Sequence, residues 1–366
     1  MNPAPPLQAP PFCPNPKCRF HSRDRHLWRF EKHGTYPRQA PPHEVQRYRC
    51  VTCRRTFGDQ TFSVTYWLRR ADLLRPVFYG LLGCSGFRQI AREFDVSPQT
   101  IARLSGRLGR HCLLFHEATR PRGPLQEPLS LDSFESFEYS QFYPTSYHLA
   151  AGRHSHFAYG FTESELRRKG SMTDRQRARR AALERRLGRP RPRAIEEDVA
   201  ALLAIVAPRP QALVLHTDQH HDYPRAVRRV RHLEVTHETI SSRATRTPSN
   251  PLFAVNLLDL LIRHSGANHK RETIAFSKRR ASAIDRLSVF IVWRNWIKSF
   301  SERDRGASPA MRLGLAEARL TVEQVLARRL FPSRIRLPRR WQPYYWRTVR
   351  TRAIARCVPH WRRYAV

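Results

Sequence analysis

Carboxylates at strand ends and paired cysteines are the residues of this sequence whose types and spacing are suited to chemistry. PLSLDSFESFEY reads as a strand carrying Asp132, with Glu135 and Glu138 close behind, and ALVLHTDQHHDY opens on a buried strand, Leu213 to Leu215, that ends at Asp218. In an open α/β sheet such ends converge on one crevice, so two aspartates far apart in sequence can meet. A small set of hard oxygen ligands suits Mg2+ or Mn2+, which keeps positions open for phosphate oxygens. The plainer alternative is that the two aspartates only cap their strands. A third carboxylate is sought in NPLFAVNLLDLLIRHSGANHKRETIAFSKRRASAIDRLSVFIVWRNWIKSF. Asp259 follows Asn256 on a helix and lies one turn before Arg263, which is placed to orient a phosphate. Glu272 is the alternative third residue, and Asp285, beside an arginine on an apolar helix, reads as an internal ion pair. His216, His220 and His221 flank Asp218 and are read either as proton donors to a leaving group or as exposed polar residues.

The cysteines make a different site. CPNPKC presents Cys13 and Cys18 and YRCVTC presents Cys50 and Cys53. Two short Cys-to-Cys spacings form two knuckles around one tetrahedral Zn2+, with β-favouring residues between them and a basic RRTF segment after them, as in a small zinc ribbon. His21 and His26 are possible substitute ligands. So small a core needs the metal's binding energy to fold. Cys84 and Cys112 lack a paired neighbour and read as buried thiols.

These sites are embedded in a strongly basic chain. Lys and Arg number 66 against 30 Asp and Glu, a net +36 spread along the 366 residues. Such a field calls for a polyanion, and nucleic acid is the usual one because each neutralised phosphate releases counterions. A membrane surface is disfavoured, since neither a lipid-facing apolar stripe nor a lipidation signal accompanies the charge. No apolar run is long enough to span a bilayer, and Met1 leads into a Pro-rich segment, so the expectation is a cytoplasmic, nucleoid-associated protein whose cysteines are reduced. GFRQIAREFDVSPQTIARLSGRLGRH reads as a helix-turn-helix: a turn at Asp95 to Ser97, Ser97 as N-cap and Pro98 at the first helical position. Ile90, Phe94, Val96, Ile101 and Leu104 would bury one face, leaving Gln99, Thr100, Arg103 and Arg107 for DNA. An ordinary helical hairpin is the competing reading.

The elements that must position the carboxylates are then a strand at Asp132, further strands in SYHLAAGRHSHFAYGFTES, a helix IEEDVAALLAIVA and the strand into Asp218. A basic insertion around 165–195 reads as a charged helix or arm lying on phosphates, or as a solvated loop. Trp293 and Trp296 read as core. The C-terminal RRWQPYYWRTVRTRAIARC either stacks on bases or packs back on the domain before it. The expected division is 1–62 ribbon and Pro-rich tail, 63–122 helix-turn-helix, 123–301 catalytic domain and 302–366 basic aromatic tail.

In this order, CPNPKC with CVTC, the helix pair, LDSFE, LHTDQHHDY, then NxxD and KRETIAFSKRR, the chain resembles bacterial insertion-sequence transposases of the DDE class up to about Ser301. The resemblance implies an α/β, RNase H-like mixed sheet flanked by helices, in which three carboxylates bind two divalent ions. It places Asp132 and Asp218 in the catalytic set, with Asp259 third where the class usually has Glu. It implies that two metals flank the scissile phosphate, that water first frees a 3′-hydroxyl at the element end, and that this hydroxyl then attacks target DNA. Expected partners are element-end and target DNA and further copies of the chain in a synaptic assembly. The competing functions are a non-catalytic DNA-binding regulator and a nuclease without strand transfer.

Overall fold

The computed structural model describes residues 9–22, 25–241, 243–270, 273–354 and 356–360. Strands β1 (Phe30–Pro37), β2 (Glu44–Cys50) and β3 (Thr56–Gly58) form an antiparallel three-stranded sheet in sequence order. Its core is aromatic: Trp28, Tyr48, Phe57 and Phe62 pack with Phe20 and the knuckle cysteines.

Helices α1 (Leu74–Leu82), α2 (Phe87–Glu93) and α3 (Pro98–Thr119) follow. The turn between α2 and α3 forms as the sequence predicts. Asp95 takes a positive φ of 46°, and the Ser97 hydroxyl accepts the Thr100 N–H at 3.3 Å. Unlike the second helix of a free-standing pair, α3 is 22 residues long, and its C-terminal half is buried. Leu104, Leu108 and Cys112 join one continuous core that also holds sheet residues Leu129 and Leu131.

Strands β4 (Leu129–Phe137), β5 (Pro144–Gly152) and β6 (Ala158–Glu165) form an antiparallel meander. The basic insertion carries α4 (Asp174–Leu187), a helix with no buried residue, capped by Thr173. The apolar helix α5 (Ala194–Val206) leads to β7 (Gln211–Asp218), which joins the sheet parallel to β4. Helix α6 (Asp222–Arg229) returns to β8 (Leu233–Ile240), parallel to β7. The result is a five-stranded mixed sheet in the order β6-β5-β4-β7-β8. The sequence reading did not single out β8, an edge strand with only Leu233 buried. Alternation along β4 puts Leu129 and Leu131 toward α5 and α6, and Phe134 toward α7 (Phe253–Ser265). Helix α8 (Arg280–Val292) packs against α3 and continues into a π-helical turn bearing Trp296, in the core as expected, and Trp293, which is half-buried and packs against that core.

The C-terminal stretch is no free tail, and of its two readings the structure takes packing back on the domain. Trp341, Tyr344 and Tyr345 are buried with α3, α8 and the sheet, and the Trp341 indole N–H donates to Phe161 O at 2.9 Å. Farther up the chain Phe331 enters the ribbon core, and Ser333 meets the His21 ring at 2.8 Å. Val325 O is 2.8 Å from His111 Nε2 of α3.

Beneath this segment lies a buried ionic network. Arg280 bonds Glu138 at 2.8 Å, Glu163 at 3.2 Å and Glu165 at 3.1 Å, while Arg340 bonds Glu163 and Asp198, each at 2.9 Å. Glu138, which the sequence places near the catalytic carboxylates, is thereby committed to structure. Removing one member of such a network strands the others in low dielectric. Arg280→Ala is expected to destabilise the fold by about 3–5 kcal/mol in urea unfolding. A loss below 1 kcal/mol would mean that water enters and screens the glutamates.

Candidate functional site

At the metal knuckles, Cys13 Sγ lies 3.6 Å from Cys53 Sγ, and Cys18 Sγ lies 4.0 Å from Cys50 Sγ. All four sulfurs lie within 4.8 Å of one another. A tetrahedron with Zn–S bonds of about 2.3 Å has S···S edges near 3.8 Å, so the set fits one structural zinc ion. Two tight turns build it: Cys18 N–H donates to Asn15 O at 2.9 Å, and Arg54, at a φ of 57°, donates its N–H to Cys50 O at 2.9 Å. Burial acts to raise the Cys50 thiol, but N–H donors of Cys53, Trp28 and Thr52 outweigh it and bring the group down to about 7; the Trp28 indole is 3.2 Å from the sulfur. Burial pushes Cys13 up. His21 is excluded as a ligand because Cys13 O and Ser333 Oγ hold its two ring nitrogens. His26 is exposed and outside the cluster.

Of the residues assigned to DNA, Gln99 and Arg103 are exposed on the first turns of α3 and Thr100 is half-buried. Arg107 is a correction: it is 8% exposed and donates to Val64 O at 2.7 Å. Its long basic side chain reads as outward-facing in a helical wheel, but Val64 precedes α1 and lies over that face. Arg107→Ala is therefore expected to lower the melting temperature, with the salt slope of DNA binding unchanged. Arg103→Ala is expected to leave stability alone and reduce that slope by about 1. The two variants are compared by thermal unfolding and by fluorescence anisotropy on duplex DNA. Cys112 is buried as read, while Cys84 is only half-buried.

The carboxylates come together at the centre of the sheet. The parallel register pairs Leu129 with Leu215 and Ser130 with His216; Asp132 and Asp218 lie two residues beyond the last paired residues of their strands, close enough for the Asp218 charge to act on the Asp132 carboxyl. Both aspartates lie on the side of the sheet to which Phe134 points. Helix α7 packs there on β4 and β5, and its Arg263 lies over the Phe134 ring, 5.3 Å from the centroid. Burial raises the Asp132 carboxyl to about 6; the Ser133 N–H opposes this, the charges of Asp218 and Asp259 add to it, and Arg246 offsets part. Ser133 N–H donates to Asp132 Oδ1 at 2.7 Å, and His220 N–H to Asp218 Oδ1 at 2.9 Å. Asp259 is ion-paired with Arg263 at 3.0 Å, and the three aspartates are not among the described groups whose ligand atoms all fall within 4.8 Å. No protein-family model and no curated protein matches the chain.

The other sequence candidates distribute as follows. Glu272 lies outside the described residues. Asp285 is buried and bonded to Arg347, a partner contributed by the C-terminal segment and not by its own helix. Glu135 is exposed. His216 is buried with Nε2 at 3.0 Å from Glu238, and burial holds its pKa below the ordinary value despite that carboxylate. It belongs to the β7–β8 contact. His220 and His221 are exposed, stacked 4.6 Å apart, and converge with Asp222.

Sequence reasoning missed Arg246, Tyr223 and Glu238. Tyr223, on the buried side of α6, lies 3.1 Å from Ser133 Oγ, which is itself 2.6 Å from His148 Nδ1. His148 Nε2 in turn meets Ser164 Oγ at 2.7 Å. Burial lowers His148 to about 3, so it stays neutral and bridges the two serines across β5. A serine directly after the aspartate was the visible signal, but its partners come from two other elements, β5 and α6.

Proposed function

We propose that this protein is a DNA transposase of the DDE, RNase H-like type. In this reading it binds element-end DNA and carries out metal-dependent phosphodiester cleavage and strand transfer. The observation that carries the proposal is the gathering of three carboxylates just beyond the paired residues of β4 and β7, where the charges of Asp218 and Asp259 both act on Asp132. Like charges gathered in a half-buried crevice are costly unless a cation joins them, and hard oxygens of this kind suit Mg2+. Asp132 and Asp218 would hold the ion, whose charge would stabilise the in-line displacement at a phosphate. The mixed sheet flanked by helices agrees with an RNase H-like core. The cysteine cluster, the exposed start of α3 and the net charge support DNA binding independently of the carboxylates.

The chain's own residues would do the rest. Backbone N–H groups of Ser133 and His220 orient the two carboxylates. Arg263 has two roles open to it, pairing with Asp259 as it does here or releasing it and turning to a phosphate.

That ion pair is also the observation that favours the second reading, a DNA-binding regulator derived from such an enzyme, because a committed Asp259 leaves the metal set incomplete. The test is an assay of labelled element-end duplexes with Mg2+ or Mn2+, scored for nicked and for joined products. Joined products support the transposase, nicks alone support a nuclease, and tight binding with neither supports the regulator. Asp259→Asn and Glu272→Gln variants, assayed side by side, identify the third carboxylate.

A further inference from the structure

Helix α6 presents two sides of opposite character. Tyr223 and Ala226 are buried against the sheet, while Arg225, Arg228 and Arg229 are exposed. These three stand at i, i+3 and i+4 and share one helical face, where like charges repel. Across from them is the start of α5, whose unpaired backbone N–H groups give it a positive end, preceded by exposed Arg193. Together they line a cleft of about 410 Å³ formed by Arg193, Glu196, Arg225, Arg228 and Arg229.

Glu196 is the single acidic residue lining the cleft. It is spent on Arg229, whose guanidinium holds its carboxyl below the usual range. Among the described residues the one carboxylate within 4 Å of Arg225 is Asp222, at 3.7 Å, and none lies within 4 Å of Arg193 or Arg228, although the Glu196 charge also reaches Arg193 and Arg225. Four guanidinium groups facing one carboxylate at a helix start is an arrangement that repels itself until an anion enters. Planar guanidinium forks match phosphate oxygens bidentately.

The cleft is joined to the carboxylates through α6 itself. The helix begins at Asp222, just after Asp218, and Tyr223 on its buried side reaches Ser133 beside Asp132. We infer that the arginine cleft between α5 and α6 is a second DNA-contact surface, holding backbone phosphates of a duplex engaged by the same molecule. The inference rests on the proposal that DNA is the substrate, and it adds where the DNA runs. It does not require the carboxylates to be catalytic.

The experiment measures duplex binding by fluorescence anisotropy between 50 and 300 mM NaCl in an Asp132→Asn background, so that no chemistry intervenes. An Arg225→Ala/Arg228→Ala variant is compared with a charge-matched control at exposed arginines that do not line the cleft, Arg303→Ala/Arg305→Ala. The expected result is at least a tenfold loss of affinity at 100 mM salt and a log–log salt slope smaller by about 2 for the cleft variant, with less than a threefold loss for the control. Equal losses in the two variants would mean a diffuse basic surface and would overturn the inference. So would an unchanged duplex affinity accompanied by loss of calorimetric binding of inorganic phosphate, which would mark a small-anion site. All four arginines are exposed, and unchanged thermal unfolding confirms that the variants fold. A negative cleavage assay with a positive cleft result would sink the catalytic proposal alone.

Discussion

Asp132→Asn is expected to abolish DNA cleavage and joining while making the metal-free protein more stable. Both effects follow from one fact: the carboxyl is pushed from an ordinary 3.8 to about 6 by burial and by Asp218 and Asp259. The folded state therefore binds a proton more tightly than the unfolded chain does. Its contribution to stability is fully present below about 4 and is lost as pH rises through about 6. At neutral pH the ionised group costs about 2 kcal/mol, after a discount for its partial contact with water. Asparagine removes that cost and keeps the shape. The difference between the variant's and the wild type's unfolding free energy should be near zero below about pH 3, grow between about pH 4 and 6, and level off above. Other buried carboxylates titrate in the same range, so the difference between the two proteins is the quantity to plot. Adding Mg2+ should raise the wild-type melting temperature and not the variant's. An unshifted wild type, or a variant that still cleaves, would refute the metal-binding role of Asp132.

The second large effect is expected on removing metal from the Cys13, Cys18, Cys50 and Cys53 cluster, whose geometry suits zinc. Chelation, or Cys50→Ser, is expected to unfold the ribbon, because its small core has four metal ligands at its centre and structural zinc sites supply about 10 kcal/mol or more of folding energy. The loss should be visible as exposure of Trp28, whose indole donates to Cys50. Tryptophan fluorescence and limited proteolysis before Ser63, against a zinc-replete control, make the measurement. The five-stranded sheet has its own apolar cores on both faces and should stay folded. A ribbon that keeps its protease resistance without metal would refute a structural role for the cluster.

Much of this arrangement was legible because it depends on local pattern. The CPNPKC and YRCVTC spacings found the cysteine cluster. The apolar run ending at Asp218 found β7, and Ser97-Pro98 found the start of α3. What escaped the sequence depends on distant partners. Arg107 looks like its neighbour Arg103, and only Val64, far back in the chain, distinguishes a buried hydrogen bond from a phosphate contact. Glu138 resembles a site carboxylate until Arg280 arrives from α8. Strand β8, LEVTHETI, keeps an apolar–polar alternation only over its first four residues, too short a run to mark an edge strand. The boundary expected at 122 has no counterpart in the packing of α3, since a helix read as part of a DNA-binding unit also serves the sheet's core. Asp259 was reachable from NxxD, but its present bond to Arg263 is a matter of side-chain geometry.

The C-terminal segment touches the ribbon through Phe331 and Ser333, α3 through Val325, and the sheet through Arg340, paired with Glu163, and Trp341. A single stretch of chain thus works as a splint across three elements separated in sequence. If the ribbon and α3 grip DNA as proposed, the splint acts as a ruler: the interval between the bases they hold and the phosphate presented to Asp132 is set by rigid bracing and not by a flexible linker. The same stretch also supplies the buried Trp341, Tyr344 and Tyr345, so this spacing is built into the packing that keeps the domain folded and cannot be removed separately from it.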